Sequence, residues 1–269
     1  MSLVINTNIA SLIASRNVGQ SQGKLSTSIS HLSSGLRIAS AADDAAGLAI
    51  SEQLKADTAA YGQAARNAND GVSALQVAEG GLTEVSNILV RMKELATEAA
   101  TGTISNTQPL DDEFQQLLLE ITRVSTATKF NGTALVDGSF NKDLMVGTTS
   151  ADTLTVDLST VDITGLTNAA DVLTTAAAAK TAMGHIDTDI ASVAGFRGTI
   201  GSLENRLNYT VGNLQIMAQN TAAAASQITD ADYATEMSNF TKNQVLQQAG
   251  VAILAQANSL PQSVLKLVG

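Results

Sequence analysis

The apolar positions of this chain fall into three rhythms. In the N-terminal arm Val18 is followed by Leu25, Ile29, Leu32 and Leu36. From Leu25 the steps are four, three and four, the spacing of a coiled-coil stripe. A short interruption follows at "LSSGLRIASAADDAAGLAIS" (32–51). A second stripe then runs through Leu75, Ala78, Leu82, Val85, Leu89, Met92, Ala96 and Ala99, alternating three and four within a helix expected from about Asp44 to Thr101. "TGTISNTQP" ends it. Pro109 suits the first turn of the next helix, with Asp111, Asp112 and Glu113 near its positive end. Phe114, Leu118, Ile121 and Val124/Ser125 carry that helix to about Thr128.

The period then drops toward two. Asn131-Gly132 and Asp137-Gly138 are hairpin-type dipeptides, and "TLTVDLST" alternates Leu154, Val156 and Leu158 with polar residues. A small β region is therefore expected over about 130–166. Helix resumes from about Asn168, where Ile200, Leu203, Leu207, Leu214 and Met217 hold a heptad frame that Ala224 and Ile228 extend. "TDADYATEMSNF" marks a second joint. The last segment, with Val245, Leu246, Ala249, Ala252, Ile253 and Leu260, is expected to be interrupted at Pro261. The order is nearly symmetric: terminal helix, joint, long helices, β tip, long helix, joint, terminal helix. This predicts a mainly α fold, an elongated helical rod with paired terminal helices. The terminal arms hold many Ala and Ser residues and few large apolar ones, so neighbouring subunits are expected to complete their burial.

Composition sharpens this picture. Of 269 residues, 44% are hydrophobic but only 3% aromatic, so the apolar mass is Ala, Leu, Ile and Val, the material of long packed helices. A net charge of −10 argues against binding a phosphate backbone. The N-terminal stretch "MSLVINTNIASLIAS" has no basic start and no continuous apolar run, unlike a secretory signal. The longest charge-free segment is rich in Asn, Gln and Thr, so no membrane insertion is expected. The absence of cysteine removes disulfides and thiolate ligands.

Two clusters invite a chemical reading. Asp43 and Asp44 are adjacent, but neighbouring helical side chains diverge by about 100°. The better reading is a joint of Gly35, Arg37, Asp43 and Asp44, in which the aspartates cap a new helix and Arg37 is placed to pair with one of them, within a subunit or between subunits. His185, Asp187 and Asp189 in "HIDTD" do not share one helix face, so a solvated face is favoured over a metal site. His31, beside Leu32, is expected to pack or to face a neighbour. No catalytic or metal residues, and no cofactors, are assigned.

The strings "VINTNIASL", "LSSGLRIASAADDAAGLAIS", "RNANDGVSALQVAEGGLTEVSNILVRMKELA" and "RVSTATKFNGTALVDG" resemble the N-terminal half of bacterial flagellin. "ADYATEMSNFTKNQVLQQAGVAILAQANSLPQSVLKLVG" resembles its C-terminal end. Together they cover about three-quarters of the chain, with a very short middle that leaves little or no outer variable domain. The resemblance implies a discontinuous inner domain (1–43 and 229–269) and a rod domain (44–228). It implies a self-assembling subunit of the extracellular flagellar filament, exported unfolded by the flagellar type III apparatus and added beneath a cap, with termini that order on assembly. The implied inner-tube packing residues are Leu25, Ile29, Leu32, Leu36, Val245, Ala249 and Ile253. Those of the rod core are Leu75, Leu82, Val85, Leu89, Leu203, Leu207 and Leu214. The implied partners are further copies of the chain, the filament cap, the hook–filament junction proteins and an export chaperone on the C-terminal arm. Arg91, Leu95 and Glu113 match positions by which flagellins resemble ligands of the flagellin-sensing Toll-like receptor, although Val90 departs from the polar residue common there. Exposed Ser/Thr stretches such as "GTTSADTLT" suit either O-linked glycans or plain turns. A zinc protease of the kind some flagellins carry needs a His-Glu-x-x-His pair, which the sequence lacks. A hook–filament junction protein and a soluble coiled-coil adaptor are the competing readings; "VINTN" and "LQQAG…ANSLPQ" favour the filament subunit.

Overall fold

A computed structural model describes residues 7–101, 106–166 and 171–268, with side chains to 259. Five helices dominate: α1 (Ile9–Ser34), α2 (Ala45–Ala100), α3 (Gln108–Ala127), α4 (Ala176–Thr229) and α5 (Tyr233–Val268). Between α3 and α4 lie β1 (Lys129–Phe130), β2 (Thr133–Ala134), β3 (Asn141–Met145) and β4 (Thr153–Asp157). The chain divides into two compact units, Met1–Ala56 with Asn220–Gly269, and Asp57–Gln219.

In the second unit the helical stripe read from the sequence is the core. Leu75, Ala78, Leu82, Val85 and Ala96 are fully buried, and Leu89, Met92 and Ala99 nearly so. Phe114, Leu118, Ile121, Val124 and Ser125 of α3 are buried, as are Ile200, Leu207 and Leu214 of α4, while Leu203 packs against the cluster half-buried. Met217, which extends the frame on paper, is 39% exposed. Pro109 sits in the first turn of α3, where a missing N–H costs no helical bond. Asp111 is buried there and its Oδ1 accepts the Leu173 amide at 2.6 Å.

The β region holds two antiparallel pairs. β1 and β2 are joined by Asn131-Gly132, with φ of 48° and 79°, the two-residue turn whose twist suits a hairpin. β3 pairs with β4, and β4 buries Leu154 and Val156 on one face. Asp137-Gly138 does not form the expected hairpin. Gly138 takes φ 72°, but its N–H is bonded to the Val161 carbonyl, and Asp137 bridges Asp162. The left-handed glycine here turns a loop back along a distant segment, a use that a dipeptide signal does not distinguish from a hairpin. Close approach fixes Gly71 as well: a Cβ there would lie 2.4 Å from Leu144 Cδ1 of β3.

Two helix boundaries differ from expectation. α4 begins at Ala176 rather than near Asn168, a position outside the described residues; Thr175 caps it, its Oγ1 accepting the Ala178 amide. α5 continues past Pro261 to Val268, because a proline removes one helical hydrogen bond without forcing the chain to stop.

Candidate assembly surface and joint

In the first unit α1 and α5 pair along their lengths. Asn8 Nδ2 donates to the Ala257 carbonyl at 2.8 Å, and Ser11 Oγ donates to Asn258 Oδ1 at 2.7 Å. Val18 lies under Gly250, Gln22 bonds Gln247, and His31 faces Glu236. Rising α1 numbers meet falling α5 numbers, so the helices are antiparallel. Asn8 also caps α1, its Oδ1 accepting the Ser11 amide.

The seam corrects the sequence-based stripe. The least exposed α1 positions are Ser11, Ala14, Val18, Ser21, Leu25, Ser28, His31 and Leu32. Apart from the adjacent His31 and Leu32 they step by three and four, a heptad in which Ser and Ala alternate with Val18 and Leu25. The expected step from Leu25 to Ile29 fails: Ser28 is buried and Ile29 is 51% exposed. Leu36 also falls outside the stripe, because the helix ends at Ser34 and Leu36 instead forms a β-bridge with Asp230. On α5 the facing positions are Glu236, Phe240, Asn243, Gln247, Gly250, Leu254 and Ala257. Gly250 admits Val18 so closely that a Cβ would stand 2.8 Å from Val18 Cγ2.

The large aliphatic groups lie elsewhere. Ile9, Leu12, Ile13 and Ile29 on α1, and Val245, Leu246, Val251 and Ile253 on α5, are each about half exposed or more. Ala249 is exposed as well. The chain closes its own terminal pair with a mixed seam, small residues alternating with Val18, Leu25 and Leu32 on α1, and leaves a second set of bulky aliphatics unburied, unlike a self-sufficient pair of helices.

The joint is a knot of backbone hydrogen bonds and caps. Gly35 at φ 73° ends α1, and its N–H returns to the His31 carbonyl at 2.8 Å. Arg37 N–H donates to the Thr229 carbonyl at 2.6 Å, and the Ala231 amide donates to the Gly35 carbonyl at 2.9 Å. Asp43 Oδ2 accepts the Ala39 and Ser40 amides and the Ser40 hydroxyl. Those Ser40 bonds hold its carboxyl below the usual aspartate range. Asp44 Oδ1 accepts the Ala46 and Gly47 amides and so caps α2. The two aspartates thus serve different backbone segments and do not converge on a ligand. Arg37 does not pair with either: its Nη2 donates to the Ile228 carbonyl at 2.6 Å, because its side chain follows the backbone bridge toward the end of α4. Asp232 repeats the capping device at the start of α5, accepting the Ala234 and Thr235 amides.

In the second unit Arg91 is exposed and donates to Glu113 at 2.8 Å and to Glu94 at 3.1 Å. Leu95 does not share that exposed face. At 1% exposure it belongs to the core, since the stripe of α2 is wide enough there to take both Leu95 and Ala96. Of the "HIDTD" residues, His185 and Asp189 both neighbour Asp171, whereas Asp187 turns away to Lys93. His185 Nδ1 meets Asp171 at 2.9 Å, and Asp187 takes Lys93 at 2.5 Å. Burial, then the Asp171 charge, pushes the Asp189 carboxyl up to about 6. The His31 contacts with Asp43 and Glu236 had no sequence signal, because all three residues lie far apart in the chain or across a turn.

A mainly α chain whose termini pair with each other through a slender seam, and whose bulky aliphatics stay uncovered, is a structural assembly subunit. Its sequence matches the model of the bacterial flagellin N-terminal helical region over residues 5–141 and that of the C-terminal helical region over 183–268. It is 42% identical to a flagellin of Halalkalibacterium halodurans, over 99% of this chain and all of that one. It is 36% identical to a flagellin of Bacillus subtilis, over 98% of this chain and 99% of that one. The crystal structure of Bacillus cereus flagellin superposes with a TM-score of 0.51 at 35% identity, covering 60% of this chain and 94% of that one. The chain belongs to the bacterial flagellin family, a family of structural proteins, and is a short-form subunit of the flagellar filament. Among the described residues no helix is long and apolar enough to cross a membrane.

Proposed function

We propose that this protein polymerises into an extracellular filament through the outward aliphatic faces of α1 and α5, without catalytic activity. The observation that supports this is the uncovered aliphatic face of the terminal pair: Ile9, Leu12, Ile13 and Ile29 on α1 and Val245, Leu246, Val251 and Ile253 on α5 stay exposed, while a mixed seam of small residues with Val18, Leu25, Leu32 and Leu254 closes the pair. Residues 1–43 and 229–269 form the inner domain and line the filament tube, and residues 44–228 form the rod. Ile29, Val245, Ala249 and Ile253 pack against neighbouring copies, while Leu25 and Leu32 hold the intrachain seam on which those faces are mounted. Leu36 supports the joint. The rod is held by the buried Leu75, Leu82, Val85, Leu89, Leu207 and Leu214, with Leu203 at its edge. Export proceeds through the flagellar type III apparatus, with a chaperone covering the apolar C-terminal arm, and growth occurs between the hook–filament junction proteins and the cap. Seeded elongation tests this reading: cooled monomer with short seeds gives micrometre filaments by electron microscopy. A chain lacking residues 260–269 does not elongate; normal filaments from it would refute the role of the arm.

We also propose that the exposed ion-paired patch of Arg91 and Glu113 engages the flagellin-sensing Toll-like receptor, with Leu95 acting from beneath by fixing the helix. The exposure and mutual 2.8 Å contact of the two charges support this. In a reporter-cell assay Arg91→Ala lowers signalling; an unchanged signal would count against it.

A further inference from the structure

Three dipeptides in this chain set an aspartate or asparagine before a glycine: Asp70-Gly71, Asn131-Gly132 and Asp137-Gly138. Such pairs are prone to cyclise, because a glycine nitrogen carries no neighbouring side chain to keep it from the preceding carbonyl carbon. The fold treats the three differently. Gly71 lies inside α2, where its amide belongs to the helical ladder and Leu144 covers it. The Gly138 amide donates to the Val161 carbonyl at 3.1 Å, Asp162 packs against that glycine, and the Asp137 carboxylate is taken by Ser139. Asn131 and Gly132 instead make up the exposed loop between β1 and β2. Among the described residues none hydrogen-bonds the Asn131 side-chain amide or the Gly132 N–H, and the space beside Gly132 is open. The strands on either side are two residues each, so the loop leaves its φ of 48° and 79° once the adjoining Phe130 and Thr133 pair opens. A ribbon that short has little stability of its own, and local openings of this kind cost far less than global unfolding.

We propose that Asn131 is a site of spontaneous deamidation, through a cyclic succinimide formed with Gly132. The Gly132 nitrogen gives up its proton and bonds to Asn131 Cγ. The Cγ–Nδ2 bond breaks, and ammonia leaves with a proton. Water then adds to one of the two ring carbonyls. Opening at the former side chain restores the backbone and leaves aspartate. Opening at the former main chain leaves isoaspartate, with the backbone running through the old side chain. One water is consumed, one ammonia is released, and nothing is oxidised or reduced. Either product puts a new negative charge on the turn. Isoaspartate also adds a methylene to the main chain, which a two-residue loop cannot take up without shifting the Phe130 and Thr133 register. The reaction lies wholly within the second unit and depends neither on assembly nor on the terminal helices.

The test incubates the soluble full-length protein in mildly alkaline buffer, beside the same protein unfolded in urea. After brief tryptic cleavage, mass spectrometry follows peptide 130–142, which reports Asn131 and Asp137 together. Conversion of Asn131 appears as the mass gain of an amide becoming an acid. Isoaspartate at either position appears as a separately eluting peptide, located by electron-transfer fragmentation. Folding should slow the reaction at Asn131 by about tenfold or less, as expected of a local opening, and should slow it at Asp137 far more. Asn131→Gln keeps an exposed amide but closes the larger ring poorly, so the product at this position is lost. A folded chain that keeps Asn131 intact while the unfolded chain converts it would overturn the proposal. So would equal slowing at Asn131 and Asp137, or ammonia loss that persists at position 131 in Asn131→Gln.

Discussion

Ile253→Ala isolates the proposed assembly face from the fold. Ile253 is 60% exposed on α5 and lies off the seam with α1, so truncating it should not disturb the subunit's own packing. Alanine is also the better helix former, so the monomer keeps its helix. Assembly loses the burial of three side-chain carbons, each worth about 0.8 kcal/mol when fully covered. Scaled to the 60% that remains to be covered, the loss is about 1.4 kcal/mol per subunit. That corresponds to a rise of about tenfold in the monomer concentration left at equilibrium with filaments. The assay is sedimentation of seeded reactions across a concentration series, with the supernatant giving the critical concentration. Thermal unfolding of the monomer by circular dichroism serves as the control. A critical concentration within twofold of wild type, with an unchanged melt, would refute the assignment of this face to assembly. A lowered melt would place Ile253 in the intrachain packing instead.

The remaining predictions concern the fold. Leu82→Ala empties a fully buried site and should cost about 3–4 kcal/mol, read as a lower guanidinium midpoint for the rod. Asp111→Ala strands the buried Leu173 amide and should cost about 1–3 kcal/mol, whereas Asp112→Ala, one residue along, should cost far less. Asp44→Ala removes the α2 cap and should cost about 1 kcal/mol without abolishing any chemical activity. The Asp189 carboxyl, raised to about 6 in the folded chain, binds a proton more tightly than in the unfolded chain. Stability of its unit should therefore fall as pH rises from about 4 through 6. Asp189→Asn should flatten that slope in pH-dependent denaturation curves and leave the chain more stable than wild type at pH 7.

The core of the second unit was legible because its stripe is written in large residues. Leu75, Leu82, Val85 and Leu89 recur at helical spacing in a long run without proline, and nothing competes with them for the core. Phe114 and Ile121 carry the same signal into α3. The terminal seam was read correctly at Leu25 and Leu32 but not at Ile29 and Leu36, because small residues share it with the large ones. A search for bulky apolar positions finds Ile29, while the partner helix instead meets Ser28 and admits Val18 through the bare backbone of Gly250. The two aspartates of the joint were legible as caps, since capping is local and an Asp before an apolar run states it plainly. Arg37 was not, because its acceptor is a backbone carbonyl 191 residues away that no spacing rule reaches.

The misread seam explains how one sequence serves two sets of contacts. A heptad stripe of large aliphatics facing the partner arm would make α1 and α5 a stable pair by themselves and leave a polar outer face with nothing to recruit. Placing Ile13, Ile29, Val251 and Ile253 off that stripe makes the intrachain pair slender and, in the assembly proposed above, supplies apolar area for contacts with other copies. The exposed aliphatics do not form a bare apolar sheet. Between the pairs Leu12-Ile13 and Val245-Leu246 and their neighbours lie Asn, Gln, Ser and Thr, and the chain carries a net charge of −10, so single subunits repel one another before docking. Replacing Gly250 with Leu tests the argument from the other side. A side chain there collides with Val18 and forces the helices apart, so it should lower both monomer helicity and polymer yield. Ile253→Ala should lower the yield alone. If Gly250→Leu left both unchanged, the close Val18 approach would not be what sets the outward faces, and the separation of roles between the two stripes would fail.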